Sequence, residues 1–294
     1  MTVWQHICSN ISSAIGKGFS AERRTSVAGG DINAAYRIEG SGERFFVKLQ
    51  RTEMLPLFAA EAAGLAEIAA SATVRVPRVI AFGAAAGQAY LVLEYIALQG
   101  LSAQASHQLG QVLAHMHRHV GTGFGWTRDN SIGTTPQINT PSDNWLDFWK
   151  DRRLGYQLAL AQRNGYGRTL SKPGDQLLAD CGALFSAYRP VASLLHGDLW
   201  SGNAAADEAG APVIFDPAVY YGDREADLAM TELFGGFSPH FYAAYREAWP
   251  LDPGYAVRKD FYNLYHVLNH LNLFGAGYLG QAERMIARLL GELR

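Results

Sequence analysis

The chain reads as an α+β protein of two lobes, a small β-rich one followed by a larger, mainly helical one. Three observations carry that reading. In the first third, short apolar runs are punctuated by turn residues, the pattern of strands and hairpins. Past residue 102 the apolar positions recur at helical spacing. Between the two, Ala97-Leu98-Gln99-Gly100-Leu101-Ser102 breaks both patterns, which divides the chain into lobes 1–98 and 99–294.

The elements follow in order. Ala34-Ala35-Tyr36-Arg37-Ile38 and Arg44-Phe45-Phe46-Val47-Lys48-Leu49 flank Glu39-Gly40-Ser41-Gly42-Glu43, which is turn chemistry for a hairpin. A helix is expected over 53–70 with Thr52 as its N-cap, then a strand over 89–95. A helix over 104–120 would place Leu109, Val112, Leu113, Met116 and Val120 on one face. Residues 121–144, rich in Gly, Thr, Asn and Pro, read as a long ordered loop, a kind of segment that is often functional in compact domains. Further helices are expected at about 144–163, 174–188, 225–247, 257–275 and 280–292. No internal repeat or low-complexity tract is evident.

Composition excludes several classes. With 294 residues, 48% hydrophobic and 18% charged, the chain is ordinary for a globular protein and long enough for a substantial core. A formal net charge of −2 supplies no field to draw in nucleic acid or an anionic membrane. No stretch approaches the roughly 18 apolar residues of a membrane helix. Met1-Thr2-Val3-Trp4-Gln5-His6 lacks the basic start of a secretory leader. Cys8 and Cys181, far apart and in no metal-ligand spacing, are expected to be reduced thiols of a cytoplasmic protein.

The most informative segment is His196-Gly197-Asp198-Leu199-Trp200-Ser201-Gly202-Asn203, followed by Val213-Ile214-Phe215-Asp216. ATP-dependent phosphoryl transfer needs one carboxylate to orient the attacking hydroxyl. It also needs an amide oxygen and a second carboxylate to hold the Mg²⁺ that neutralises the phosphates. Asp198 fits the first role, Asn203 and Asp216 the second. Lys48 lies in a strand apolar on both faces and needs an anionic partner. Glu61, on the helix face shared by Phe58, Ala62 and Leu65, would supply it. A lysine so held can clamp the α- and β-phosphates of ATP.

Other positions say less. Gly29-Gly30-Asp31-Ile32-Asn33 matches neither phosphate-loop pattern, so Gly29 and Gly30 read equally as a plain turn or a phosphate cradle. The main-chain carbonyl of Glu94 and amide of Ile96 are the natural pair for adenine at the lobe boundary. His115 and His119 read as a solvated helix face, and Asp227 as a helix-terminus charge that complements the dipole and caps a loop, with Glu225 left open. Trp200 is expected to wall the sugar site, with core packing as the other reading. His270 stands in an aromatic helix that is mostly core, and is read alternatively as a substrate-pocket residue beside Trp200.

With Lys48, Glu61, Asp198, Asn203 and Asp216 in this order, the chain resembles the fructosamine kinase family, relatives of aminoglycoside phosphotransferases and choline kinases. The similarity runs over nearly the whole chain. It includes Phe46-Val47-Lys48, Val74-Arg75-Val76-Pro77, the eight residues from His196 to Asn203, Asp216-Pro217-Ala218, Tyr221-Gly222-Asp223-Arg224-Glu225, Phe234-Gly235-Gly236-Phe237 and Leu268-Asn269-His270-Leu271-Asn272-Leu273-Phe274-Gly275. The resemblance implies a two-lobed protein-kinase-like fold and ATP/Mg²⁺-dependent phosphorylation of the sugar 3-hydroxyl of ketoamines (ribulosamines, erythrulosamines or fructosamines). The unstable 3-phosphate then frees the amine, which amounts to deglycation. Free or protein-bound ketoamines would be the partners. Asp31 stands where many relatives carry a cysteine, so thiol-based redox control is not expected. Asp216 leads into Pro217-Ala218 and no Ala-Pro-Glu segment follows, which points away from a protein-kinase substrate groove. Two rivals remain: a phosphotransferase for an aminoglycoside, choline or a similar amine, and a nucleotide-binding pseudokinase scaffold.

Overall fold

The computed structural model describes residues 1–27 and 34–293. Five antiparallel strands form the N-terminal sheet: β1 (Arg23–Val27), β2 (Ala34–Gly40), β3 (Glu43–Arg51), β4 (Val79–Ala85) and β5 (Gln88–Glu94), in the order β1-β2-β3-β5-β4. Two hairpins close through two-residue turns, Ser41-Gly42 and Ala86-Gly87. All four residues have positive φ (53°, 76°, 51° and 78°), the backbone twist that matches twisted flanking strands.

Helices cover both faces of this sheet. On one, α1 (Val3–Ile15) buries Val3, Ile7 and Ile11 against Ile38, Phe45, Val47, Tyr90 and Val92. On the other, Phe58, Leu65 and Ile68 of α2 (Leu55–Ala70) pack with Leu91 and Leu93. Because side chains alternate along a strand, Phe45, Val47 and Leu49 face α1 and turn Lys48 toward α2.

The remainder is mainly helical: α3 (Ala103–His117), α4 (Trp145–Trp149), α5 (Gly155–Ala161), α6 (Gly167–Asp180), α7 (Arg224–Leu233), α8 (Pro239–Ala248), α9 (Tyr255–Phe274) and α10 (Leu279–Glu292). Three short antiparallel pairs punctuate it. They are β6 (Asn130–Ile132) with β7 (Thr135–Gln137), β8 (Ser193–Leu195) with β11 (Tyr220–Gly222), and β9 (Ala204–Ala206) with β10 (Pro212–Ile214). Helix α9 is buried over most of its length and forms the axis of the larger core, with Phe261, Leu264, Val267, Leu268 and Leu271 fully enclosed. No helix among the described residues is long and apolar enough to cross a membrane.

Several elements differ from expectation for identifiable reasons. Helix α1 was not anticipated, although Thr2 and Gln5 form a capping box and Gly16 closes the far end in the left-handed region. Strand β4 lacks the alternation that marks a strand, being rich in Ala and Gly and half-buried except at the exposed Phe82. Thr52 does not cap α2. It opens a 3₁₀ turn, Thr52–Met54, and Pro56 lies in the first helical turn instead. Val120 lies beyond the end of α3 and is exposed. The helix expected over 174–188 starts earlier and runs through Pro173. The one expected over 225–247 is two helices, parted where Gly235 and Gly236 take positive φ and Pro239 restarts the turn.

The chain passes between lobes over residues 95–102. Gln99 already exchanges two 2.8 Å backbone hydrogen bonds with Ala206 of β9. Two further ties cross over: Ile214 N–H to Arg75 O at 3.0 Å, and Tyr221 OH to the Glu67 carboxylate at 2.7 Å.

Candidate active site

A cleft of about 240 Å³ opens between the sheet and the helical lobe. Lys48 and Glu61 line it from above, and Asp198, Trp200, Asn203 and Asp216 from below. Lys48 Nζ donates to Glu61 Oε1 at 2.8 Å and to Asp216 Oδ1 at 2.6 Å, so one ammonium joins α2 to the opposite lobe. Lys48 is only 6% exposed. Burial alone would pull its pKa down, but the facing carboxylates of Asp216 and Glu61 outweigh it and raise the value, so the lysine stays charged.

Asp198, Asn203 and Asp216 reach the cleft through backbone the sequence makes possible only in places. Gly197 has φ +82°, and a Cβ there would lie 2.1 Å from Ala218 O, so only glycine lets the two loops touch. Ala218 N–H returns a 2.8 Å bond to His196 O. Asp216 itself adopts φ +57°, a left-handed conformation that Asp tolerates better than most residues. Asn203 Nδ2 donates to Asp198 O at 2.9 Å and to Asp198 Oδ2 at 3.3 Å, which aims the carboxylate.

Desolvation, then the negative charges of Asp216 and Asp227, push Asp198 up to about 7, against the Asn203 bond that lowers it. A carboxylate poised there can accept a proton near neutrality. No donor reaches Asn203 Oδ1 among the described residues, and Asp216 is 45% exposed toward the cleft. These are hard oxygen ligands suited to Mg²⁺, an ion that takes one or two protein ligands and completes its shell with phosphate and water. Among the described residues no group of three or more His, Cys, Asp or Glu could hold a metal by itself.

The family model of fructosamine kinase matches residues 3–292. The chain belongs to the fructosamine kinase family. Among relatives, a probable ketoamine kinase of Synechocystis is 47% identical over 98% of this chain and 97% of its own length. The chloroplastic protein-ribulosamine 3-kinase of Arabidopsis thaliana is 42% identical over 95% of this chain and 86% of its own. Among solved structures, Putative fructosamine-3-kinase from Haemophilus somnus 129PT superimposes with a TM-score of 0.91 at 27% identity, covering 98% of this chain and 97% of that one. Aminoglycoside phosphotransferase APH(4)-Ia aligns with a TM-score of 0.61 at 17% identity over 92% and 94%, which places the fold among the protein-kinase-like phosphotransferases.

In this member of the family, the five polar positions of the sequence pattern converge on one cleft. Trp200 lines its mouth, 38% exposed, with its ring lying over Gly202. His270 does not line the cleft. It is packed among Phe234, Phe274 and Tyr278, and its Nδ1 bonds the His266 carbonyl. Glu94 ends β5, and its side chain bonds Arg75, which also reaches Asp207. Gly29 and Gly30 lie outside the described residues. His115 and His119 are exposed, as expected of a solvated face.

Asp227 lies in the first turn of α7, and the loop it caps is the catalytic one. This buried carboxylate accepts from the backbone N–H of His196 at 2.7 Å and of Gly197 at 2.8 Å. It also accepts from His117 Nε2 at 3.2 Å, and Tyr245 OH serves His117 Nδ1 at 2.8 Å. Burial would raise Asp227, but its bond from His117 and the neighbouring histidines hold it low, so it remains an anion. Asp223 is the true cap of α7, accepting from Glu225 N–H. Glu225 makes a two-pronged ion pair with Arg258 at 2.7 and 3.0 Å. Sequence reasoning also passed over the β6–β7 hairpin, whose Asn130, Ser131 and Gly133 form part of the cleft wall. A Gly-flanked pair of Thr and Ile residues was its only signal.

Proposed function

We propose that this chain transfers the γ-phosphoryl group of ATP to the sugar 3-hydroxyl of ketoamines, of the ribulosamine, erythrulosamine or fructosamine type. The 3-phosphate that results sheds the amine and so reverses glycation. One observation carries the reading: a single buried lysine spans Glu61 and Asp216, beside a carboxylate, Asp198, poised near neutral pH.

In this reading Asp198 orients the acceptor hydroxyl and takes its proton, while Asn203 keeps the carboxylate aimed. Lys48, charged because Glu61 and Asp216 face it, grips the phosphates. Asn203 Oδ1 and Asp216 would hold Mg²⁺, which when bound neutralises the phosphate charge. Residues 1–98 form the nucleotide lobe, in which the Glu94 carbonyl and Ile96 amide would serve adenine. Residues 99–294 form the catalytic and substrate lobe, with Trp200 as the sugar wall. The thiols Cys8 and Cys181 are unpaired, which supports a reducing, cytoplasmic setting.

The test is ATP consumption with Mg²⁺ against ribulose-, erythrulose- and fructose-lysine, beside an aminoglycoside and choline. Turnover of a ketoamine with a 3-phosphate product is expected. Turnover of only the aminoglycoside or choline would transfer the chain to the rival class, and nucleotide binding without any acceptor would make it a scaffold.

A further inference from the structure

The β6–β7 hairpin does more than line the cleft. Two of its buried amides hold the loop that follows Asp216. Gln137 Nε2 donates to Ala218 O at 3.0 Å and to Asn130 Oδ1 at 2.8 Å. Asn130 Nδ2 donates to Val219 O at 2.8 Å. Gln137 is 1% exposed and Asn130 8%, so these bonds are made away from water. The same amides are anchored from behind. Tyr265 OH on α9 donates to Gln137 Oε1 at 2.8 Å, and Asn139 Nδ2 donates to Asn130 Oδ1 at 3.0 Å. Arg153 in turn holds Asn139 Oδ1 at 2.6 Å.

We propose that Gln137 and Asn130 are positioning residues for Asp216. The proposal rests on the reading of Asp216 as a metal ligand. The two carbonyls they grip lie two and three residues beyond a carboxylate whose backbone is held at φ +57°. That conformation is unfavourable for a residue with a Cβ and persists only where the surroundings impose it. From one side His196 O takes the Ala218 N–H; from the other the hairpin amides take the Ala218 and Val219 carbonyls. The segment from Asp216 to Val219 is therefore tied on both edges, and the hairpin residues Ser131 and Gly133 keep a fixed place relative to it. Every hydrogen-bonding group of the Gln137 side chain is used, as is each Asn130 acceptor site. A saturated buried network of this kind has no slack, so loss of one donor displaces its partners.

The experiment pairs Gln137→Met with Asn130→Leu. Each keeps about the side-chain volume, adds no charge beside the cleft, and removes the donor that faces a carbonyl. Binding of Mn²⁺ to enzyme with AMP-PNP, followed by electron paramagnetic resonance, is measured beside kcat, the KM for ATP and the melting temperature. Outer-shell partners of metal ligands typically cost 10–100-fold in affinity when removed. Each variant is therefore expected to weaken Mn²⁺ binding by about tenfold and to lower kcat, with part of kcat restored by high Mg²⁺. A purely structural role would lower the melting temperature and the active fraction while leaving the Mn²⁺ affinity of the folded fraction within twofold of the parent, and that result in both variants overturns the proposal. Asp216→Asn separates the two readings. If it leaves Mn²⁺ binding unchanged, the metal assignment itself fails; if it abolishes binding while the hairpin variants bind normally, only the positioning role does. Should one hairpin variant not fold, the other decides.

Discussion

Asp198 titrates near neutrality because burial and two like charges oppose its ionisation, and this fixes a direction for the pH profile. Below about 7 the carboxyl of the free enzyme is protonated and cannot take the acceptor's proton. The value of kcat/KM is therefore expected to rise with pH through that region and then level off; a profile flat from pH 5.5 to 8.5 would mean that Asp198 ionises well below neutrality, and the role of base would then rest on the Asp198→Asn result alone. Asp198→Asn should reduce turnover by roughly 10²–10⁴-fold with little change in stability. Lys48→Ala has two expected effects, a weaker hold on ATP and a rate loss on the order of 10²-fold or more. Removing the ammonium also leaves Glu61 and Asp216 facing one another without a counter-charge, so the melting temperature should fall as well. Gly197 offers a purely steric test. Gly197→Ala puts a Cβ against Ala218 O at a φ that disfavours it, and should cost about 3 kcal/mol or more of stability by chemical denaturation.

At the scale of elements, α7 acts as the strut of the catalytic loop. Its Asp227 carboxylate supplies both backbone amides of His196-Gly197 with acceptors and leans on His117 and Tyr245 behind it. Asp227→Asn keeps the shape but loses the charge and one acceptor oxygen. It should slow turnover and lower the melting temperature while leaving nucleotide affinity close to the parent's, since Lys48 is untouched; equal loss of both kinetic constants without thermal destabilisation would contradict the strut. The sequence pattern predicts a loop-capping carboxylate but not which loop, because a carboxylate in the first turn of a helix looks the same whatever amides it reaches. By contrast, Lys48 and Glu61 were legible. A charge on an apolar strand and an acid on an apolar helix stripe each demand a partner, and the demand is visible before the fold is known. Lys48's second partner, Asp216, was not visible as such, because nothing local records a contact between residues so far apart in the chain. The same limit hid the hairpin, whose amides matter only through the carbonyls they find across the lobe.

For the whole molecule, three buried histidines set how the fold meets acid. Burial lowers His117, His196 and His266 below the ordinary value of 6.5, the last to about 3. The neutral ring of His196 donates from Nε2 to Phe215 O at 2.9 Å and accepts at Nδ1 from Asp198 N–H, so a proton there would break the catalytic loop's own bonding. Among the described residues the buried Nδ1 of His266 has no hydrogen-bond partner, and burial together with the nearby His270 outweighs the pull of Asp227 toward a charged ring. In the unfolded chain these rings take up protons once the pH drops below about 6.5, whereas the native rings resist. The rings' contribution is thus fully present above that value and declines as the pH falls toward each native pKa, with a slope of up to about 1.4 kcal/mol per pH unit for each ring. For His266 that window extends down to about 3. Asp198 and Glu225, both pushed up to about 7 by burial, act in the opposite sense over the same window, since the folded state takes up their protons first. The share of one ring is therefore read as a difference: by urea unfolding from pH 7.5 to 4.5, His266→Leu should lose less stability toward acid than the parent. Parallel pH profiles for the two proteins would mean that His266 is protonated in the native state.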